Sequence, residues 1–301
     1  MGLTENQMSL IKSVSQNDMT TAREMAVKCL EADTTAKNSR FCSHYKDLLQ
    51  ARQMLEVPAN LTGILSMEDV SSSFLEGRYY LTERESKLYE NIYRMKTVSE
   101  KLAGMRIPYL NSILLYGGSG TGKTTFGKYV AYKMGLPFCY INFSNLIDAY
   151  MGNTAKNISK VFRYISTNQC VFMLDEIDCI SIRRSSAGST GTDGEMARTT
   201  ICLMQEFDNL ANDIVIIGAT NRKDMMDEAL LRRFTVKHEV KVLSDADKIA
   251  MVKKYLNDIG IDISFTNNEI REVLKIGNQS KILNYLIHKI AKKIEEESDG
   301  L

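Results

Sequence analysis

The sequence predicts an α/β protein: a parallel sheet covered by helices, preceded by a small helical bundle and followed by an all-helical segment. Three observations carry that reading. Short β-branched or apolar runs alternate with helical stretches through the middle of the chain, a glycine-rich run separates one such run from a helix, and both ends show helical spacing alone. The 301 residues are enough for about two domains with a real core. Apolar residues make up 44% and charged residues 25%, which excludes a disordered or low-complexity chain. With 38 Lys+Arg against 37 Asp+Glu the net charge is +1, so no global field recruits nucleic acid or an anionic membrane.

From Thr4 to about Met54 apolar residues recur at helical spacing, as in Met8, Ile11 and Val14, then Met19, Ala22, Met25, Ala26, Cys29 and Leu30. Asn17-Asp18 and Asp33-Thr34-Thr35 supply caps or turns, giving two or three short helices of the kind that dock partners. Glu56 to Phe74 has no sustained period and reads as a linker. The expected division is 1–72 for the helical docking domain and linker, 73–243 for the α/β domain, and 244–301 for a helical lid.

Within the α/β domain the apolar runs are Ser112–Tyr116, Cys139–Phe143, Cys170–Leu174, Asp213–Ile217 and Thr235–Leu243, the last alternating as an edge strand does. Helical spacing resumes after Asp245, with Ala250, Val252, Tyr255 and Leu256, then Ile270, Val273 and Leu274, then Ile282, Leu283, Tyr285, Leu286 and Ile290.

Gly117-Gly118-Ser119-Gly120-Thr121-Gly122-Lys123-Thr124 fits the G-x-x-x-x-G-K-[ST] phosphate loop and sits after a strand and before a helix, as its mechanism requires. The glycines let backbone N–H groups turn toward phosphates, Lys123 reaches the β- and γ-phosphates, and Thr124, followed by Thr125, ligates Mg²⁺. Val171 to Leu174 leads into Asp175 and Glu176: the first carboxylate holds the Mg²⁺ water shell, and the second orients or deprotonates the attacking water. Asn221, after IVIIGAT, either positions water at the carboxyl edge of the sheet or caps the next segment. Arg232 and Arg233 precede the last strand; Glu228 pairs with Arg232 at i, i+4, or the arginines reach a neighbouring subunit's γ-phosphate. ATP and Mg²⁺ are thus the expected ligands.

Taken together, GGSGTGKTT (117–125), VFMLDEID (171–178), IIGATNR (216–222) and DEALLRRF (227–234) resemble the AAA+ superfamily, and within it the AAA proper clade. The short LLRRF spacing is similar to spastin-like and katanin-like proteins. The resemblance implies a five-stranded parallel sheet with a helical lid, nucleotide between them, and a hexameric working form. It puts Thr124, Asp175, Glu176, Asn221, Arg232 and Arg233 on the Mg²⁺, acidic-pair, sensor and arginine-finger positions. Tyr150, Met151 and Gly152 resemble the first pore loop, where an aromatic and a flexible apolar side chain grip an extended polypeptide; read from spacing alone, Tyr150 and Met151 are equally helix-end core residues. Arg183 to Asp193 falls at the second pore loop.

The lid departs from the family: a Gly-Ala-Asp triplet of close relatives is replaced by Gly277-Asn278-Gln279-Ser280-Lys281-Ile282, in which Lys281 is either a lid sensor or an exposed lysine. The implied activity is ATP-driven remodelling of a polypeptide client by a homo-oligomeric ring, alone or with a separate protease or effector. The alternative is a nucleotide-switched assembly or defence ATPase that activates an effector. Nucleic-acid remodelling is disfavoured by charge neutrality. Cys29, Cys42, Cys139, Cys170, Cys179 and Cys202 form no C-x-x-C pair, and His44, His238 and His288 have no i+4 histidine partner, which excludes zinc-protease chemistry. With no long apolar run and no signal-like N-terminus, a cytoplasmic protein with no membrane partner is expected.

Overall fold

The computed structural model describes residues 3–15, 19–33, 35–53, 57–149, 153–180, 191–210, 214–261 and 265–299. The chain divides into two compact units, Met1–Asn60 and Leu61–Leu301. In the first unit, helices α1 (Glu5–Ser15), α2 (Met19–Ala32) and α3 (Ser39–Gln53) pack in sequence order, α1 on α2 and α2 on α3. Asp33 closes the turn before α3: it accepts from the Thr35 N–H at 2.9 Å and from Asn38 Nδ2 at 2.7 Å, and hydrogen bonding from the Thr35 side chain, then from Asn38 and the Thr35 N–H, holds its carboxyl below the usual range. Ala22 and Val27 are buried, whereas Met8, Ile11 and Val14, whose spacing predicts α1, lie on an exposed face.

The second unit opens with β1 (Ser66–Glu68) and the one-turn helix α4 (Val70–Ser73), followed by α5 (Glu83–Gly104). β1 and α4 fall within the stretch read from sequence as linker. β1 pairs antiparallel with β3 (Phe138–Asn142), and Val70 is buried in the sheet core. The remaining strands are β2 (Asn111–Tyr116), β4 (Val171–Asp175), β5 (Val215–Thr220) and β6 (Val236–Glu239), in the order β1-β3-β4-β5-β2-β6. The five strands from β3 to β6 are mutually parallel, as the sequence predicts, and the short antiparallel β1 adds a sixth at the edge. Phe143, expected to end a strand, instead begins α7 (Phe143–Ala149).

Helices α6 (Lys123–Met134), α8 (Thr154–Ile165), α9 (Gly191–Asn209) and the short α10 (Glu228–Leu231) complete the α/β part. The strands are apolar throughout because helices cover the sheet: Ile113, Leu114, Leu115, Phe172, Met173 and Ile217 are fully buried. Gly218 leaves room for Phe234, whose Cζ would lie 2.7 Å from a Cβ at that position. Then α11 (Asp245–Ile259), α12 (Asn267–Lys275) and α13 (Gln279–Asp299) pack around Met251, Leu256, Val273, Ile282 and Leu286. Side chains cap these helices, Ser244 for α11 and a Thr266–Glu269 capping box for α12. No helix among the described residues is long and apolar enough to cross a membrane.

Candidate nucleotide site

β2 lies between β5 and β6, and its carboxyl end delivers the chain into the turn from Gly117 to Gly122 before α6 begins at Lys123. Gly117 has φ +148, and a Cβ there would sit 2.3 Å from the Val240 carbonyl oxygen, so only glycine fits. The turn and the first residues of α6 line a cavity of about 350 Å³ with Asp175, Glu176, Asn221 and the start of α13. Helix N–H groups lacking intrahelical acceptors open on this space, the arrangement that favours anions.

Lys123 is 8% exposed, and its ammonium donates to Gly117 O and Gly118 O at 2.8 Å and to Asn221 Oδ1 at 2.7 Å. Burial draws its pKa down, while the charges of Asp175 and Asp178 act to raise it. The Thr124 hydroxyl donates to Asp175 Oδ2 at 2.7 Å, so β4 and α6 meet through the two side chains whose oxygens suit a hard divalent cation. Tyr140 OH lies 3.4 Å from the same carboxylate oxygen.

Glu176 has φ +54, a left-handed conformation rare outside glycine, and its N–H donates to Asp175 Oδ1 at 2.9 Å. A residue held in this sparsely populated region in the wall of the cavity is the kind of strain that functional sites retain. Beside it, the Thr220 hydroxyl donates to Asp178 Oδ1 at 2.7 Å, tying the end of β5 to the turn after β4 and fixing where Asn221 emerges.

The two adjacent arginines diverge. Arg232 is 80% exposed, with Glu228 no nearer than 3.9 Å. Arg233 turns inward, donating to Asp208 Oδ2 at 2.9 Å and to Ala229 O at 2.8 Å. Neither lines the cavity of its own chain. Tyr150, Met151 and Gly152, and Arg183 with Arg184, lie outside the described residues.

Sequence reading missed a second, aromatic cavity of about 260 Å³ beside the first, between residues 73–80 and helices α11 and α13. Phe74, Tyr79, Tyr80 and Tyr255 contribute to its walls. Tyr80 OH donates to Asp247 Oδ1 at 2.7 Å; partial burial and that bond push its pKa up to about 12. Arg78 Nε pairs with Asp258 at 2.9 Å, so the same segment is tied twice to α11. A local signal was present in the closely spaced aromatics Phe74, Tyr79 and Tyr80, just before the Thr82–Glu85 capping box. The start of α13 docks on the phosphate loop: Asn278 Nδ2 donates to Ser119 O at 3.1 Å, and the Ser280 N–H to Gly120 O at 3.2 Å. Lys281 is exposed; its N–H donates to Asn278 Oδ1 and its side chain is not part of the cavity wall.

A phosphate loop at the carboxyl end of a central parallel strand, facing a paired Asp-Glu, defines a P-loop nucleotide-binding module. Residues 113–242 match the ATPase family associated with various cellular activities (AAA), so the chain carries an AAA ATPase domain. It is 36% identical over 179 residues to the 26S proteasome subunit RPT4 of Saccharomyces cerevisiae, covering 58% of this chain and 40% of that protein. It is 34% identical over 169 residues to a proteasome-activating nucleotidase of Methanococcus maripaludis, covering 54% and 40%. With the peroxisomal ATPase PEX6 of Arabidopsis thaliana it shares 38% over 152 residues, covering 48% and 16%. The chain therefore spans two fifths or less of the length of these relatives.

Proposed function

We propose that this chain hydrolyses ATP within a homo-oligomeric ring, a hexamer by analogy with the family, and uses the cycle to remodel a polypeptide client. The observation that carries the reading is the convergence of Lys123, the Thr124–Asp175 pair, Glu176 and Asn221 on one cavity at the phosphate loop. In the proposed reaction the loop N–H groups and Lys123 hold the β- and γ-phosphates, Asn221 orients water, and the Glu176 carboxylate accepts a proton from that water as it attacks the γ-phosphorus, while the bond from that phosphorus to the β–γ bridging oxygen breaks and ADP leaves with phosphate as the second product. Mg²⁺, held by the Thr124 hydroxyl and, through water, by Asp175, would neutralise charge on the transferred phosphoryl group.

Arg232, exposed and loosely paired, is assigned the finger that enters the neighbouring subunit's site; Arg233, anchored to Asp208, orients the segment that presents it. Tyr150, Met151 and Gly152 are proposed to grip the client in the pore, and the N-terminal helical unit, residues 1–60, to dock partners. The names of the relatives, a proteasome subunit, a proteasome-activating nucleotidase and a peroxisomal ATPase, support the remodelling class. Glu176→Gln should retain ATP binding while turnover falls by about 10²-fold or more. Wild-type turnover in that variant, in a phosphate-release assay, removes Glu176 from the chemistry.

A further inference from the structure

The polar cavity at the phosphate loop and the aromatic cavity share one stretch of wall, formed by Thr121, Gly122, Thr125, Gln279 and Leu283. In a nucleotide the sugar joins the flat base to the phosphate chain. With phosphates on the loop and the base among the aromatic rings, covalent connectivity puts the ribose against that shared wall.

Among its side chains, Gln279 has a distinct status. Its Oε1 is buried without a hydrogen-bond partner, one of two such side-chain atoms among the described residues, the other being Arg233 Nε. It lies 3.7 Å from the point a Cβ on Gly122 would occupy, at the last glycine of the phosphate loop. The Thr121 hydroxyl, by contrast, is turned back onto Gly118 O at 2.9 Å. Gln279 is also held in place from both sides, since Asn278 and Ser280 each donate to the loop backbone. A buried amide oxygen left without a donor is destabilising, and a ribose hydroxyl can both donate to it and accept from the neighbouring amide N–H.

We propose that the Gln279 carboxamide hydrogen-bonds the ribose hydroxyls of the bound nucleotide and gives the site its preference for ribonucleotides over deoxyribonucleotides. The assignment rests on the nucleotide reading of the phosphate loop and deepens it: the lid supplies a sugar-reading residue at a position the sequence marks only as a departure from the family.

The test is calorimetric titration of the full chain with ADP, 2′-deoxy-ADP and 3′-deoxy-ADP, which avoids turnover. Wild-type protein should bind ADP about fivefold more tightly than at least one deoxy analogue, the difference one neutral hydrogen bond makes. Gln279→Met, which keeps the side-chain volume, and Gln279→Ala should bind all three alike, with ADP weakened to the level of the deoxy analogue. Equal affinities in the wild type, or an unchanged preference in a folded variant, overturn the assignment while leaving nucleotide binding intact. Failure of ADP to bind the wild type overturns the nucleotide reading itself and this inference with it.

Discussion

Both compact units are rich in helices with readable apolar spacing, yet they dispose of their apolar residues differently. In the α/β unit Ile113, Leu114, Leu115, Phe172 and Met173 reach 0% exposure, whereas in the helical unit Met8, Ile11, Val14 and Phe41 remain 50–57% exposed. Spacing fixes which residues share a helix face; whether anything covers that face depends on how many layers the unit can build, and a unit of this size builds few. The polar chemistry belongs to the unit with the covered sheet. Asp175, Glu176 and Asn221 stand at the ends of strands whose register packing enforces, so their side chains converge without having to be ordered on binding.

The strongest way to break that comparison is to truncate one aromatic in each unit. Phe234 is 1% exposed, stacks edge-on against Phe207 with centroids 5.3 Å apart, and sits over Gly218. Phe234→Ala should cost about 3–5 kcal/mol by loss of burial and the cavity it leaves. Phe41 is 57% exposed and touches Tyr45 at a centroid distance of 4.4 Å, so Phe41→Ala should cost about 1 kcal/mol or less. Urea unfolding of the full chain followed by circular dichroism separates the two cases; comparable losses would mean the helical unit has a core that its exposed residues conceal.

The adjacent arginines give a smaller and more local contrast. Arg233→Ala removes the bonds to Asp208 and Ala229 and should destabilise by about 1 kcal/mol, since the ion pair is partly exposed and discounted for screening. Arg232→Ala should stay within about 0.5 kcal/mol of wild type in stability while slowing ATP turnover. If Arg232→Ala turns over normally and Arg233→Ala does not, the trans role belongs to the inner arginine.

These pairs also mark how far the sequence could be read. Strand, loop and helix from Ser112 to Met134 were legible because the phosphate loop compresses its requirements into eight consecutive residues, and Asp175 with Glu176 were legible because they end an apolar run. β1 escaped notice because three residues paired antiparallel to a distant strand leave no periodic trace. The aromatic cavity and Gln279 draw on residues 73–80 and 251–283, which meet the phosphate loop only through tertiary packing. Two identical neighbours, Arg232 and Arg233, cannot be told apart by pattern; the bonds from Arg233 to Ala229 and to Asp208 on α9 separate them.

The smallest expected effect lies in the lid, away from the covered sheet, and isolates a charge. Glu269 completes the capping box of α12 with Thr266 and also bonds Lys289 of α13; the Lys289 hydrogen bond is the foremost cause that lowers its pKa from 4.5 to about 2. Because the folded value lies below the unfolded one, this contribution to stability is fully present above about pH 4.5 and is lost as pH falls toward 2. Glu269→Gln keeps a side-chain acceptor for the capping box but removes the titrating carboxylate. Wild-type protein should therefore lose thermal stability more steeply than Glu269→Gln on acidification across that window, with the two converging at its lower end. Parallel acid profiles would show that the Lys289 clasp contributes nothing to the folded lid, and that the lid is held by the apolar packing around Met251, Val273 and Ile282 and by capping geometry instead of charge.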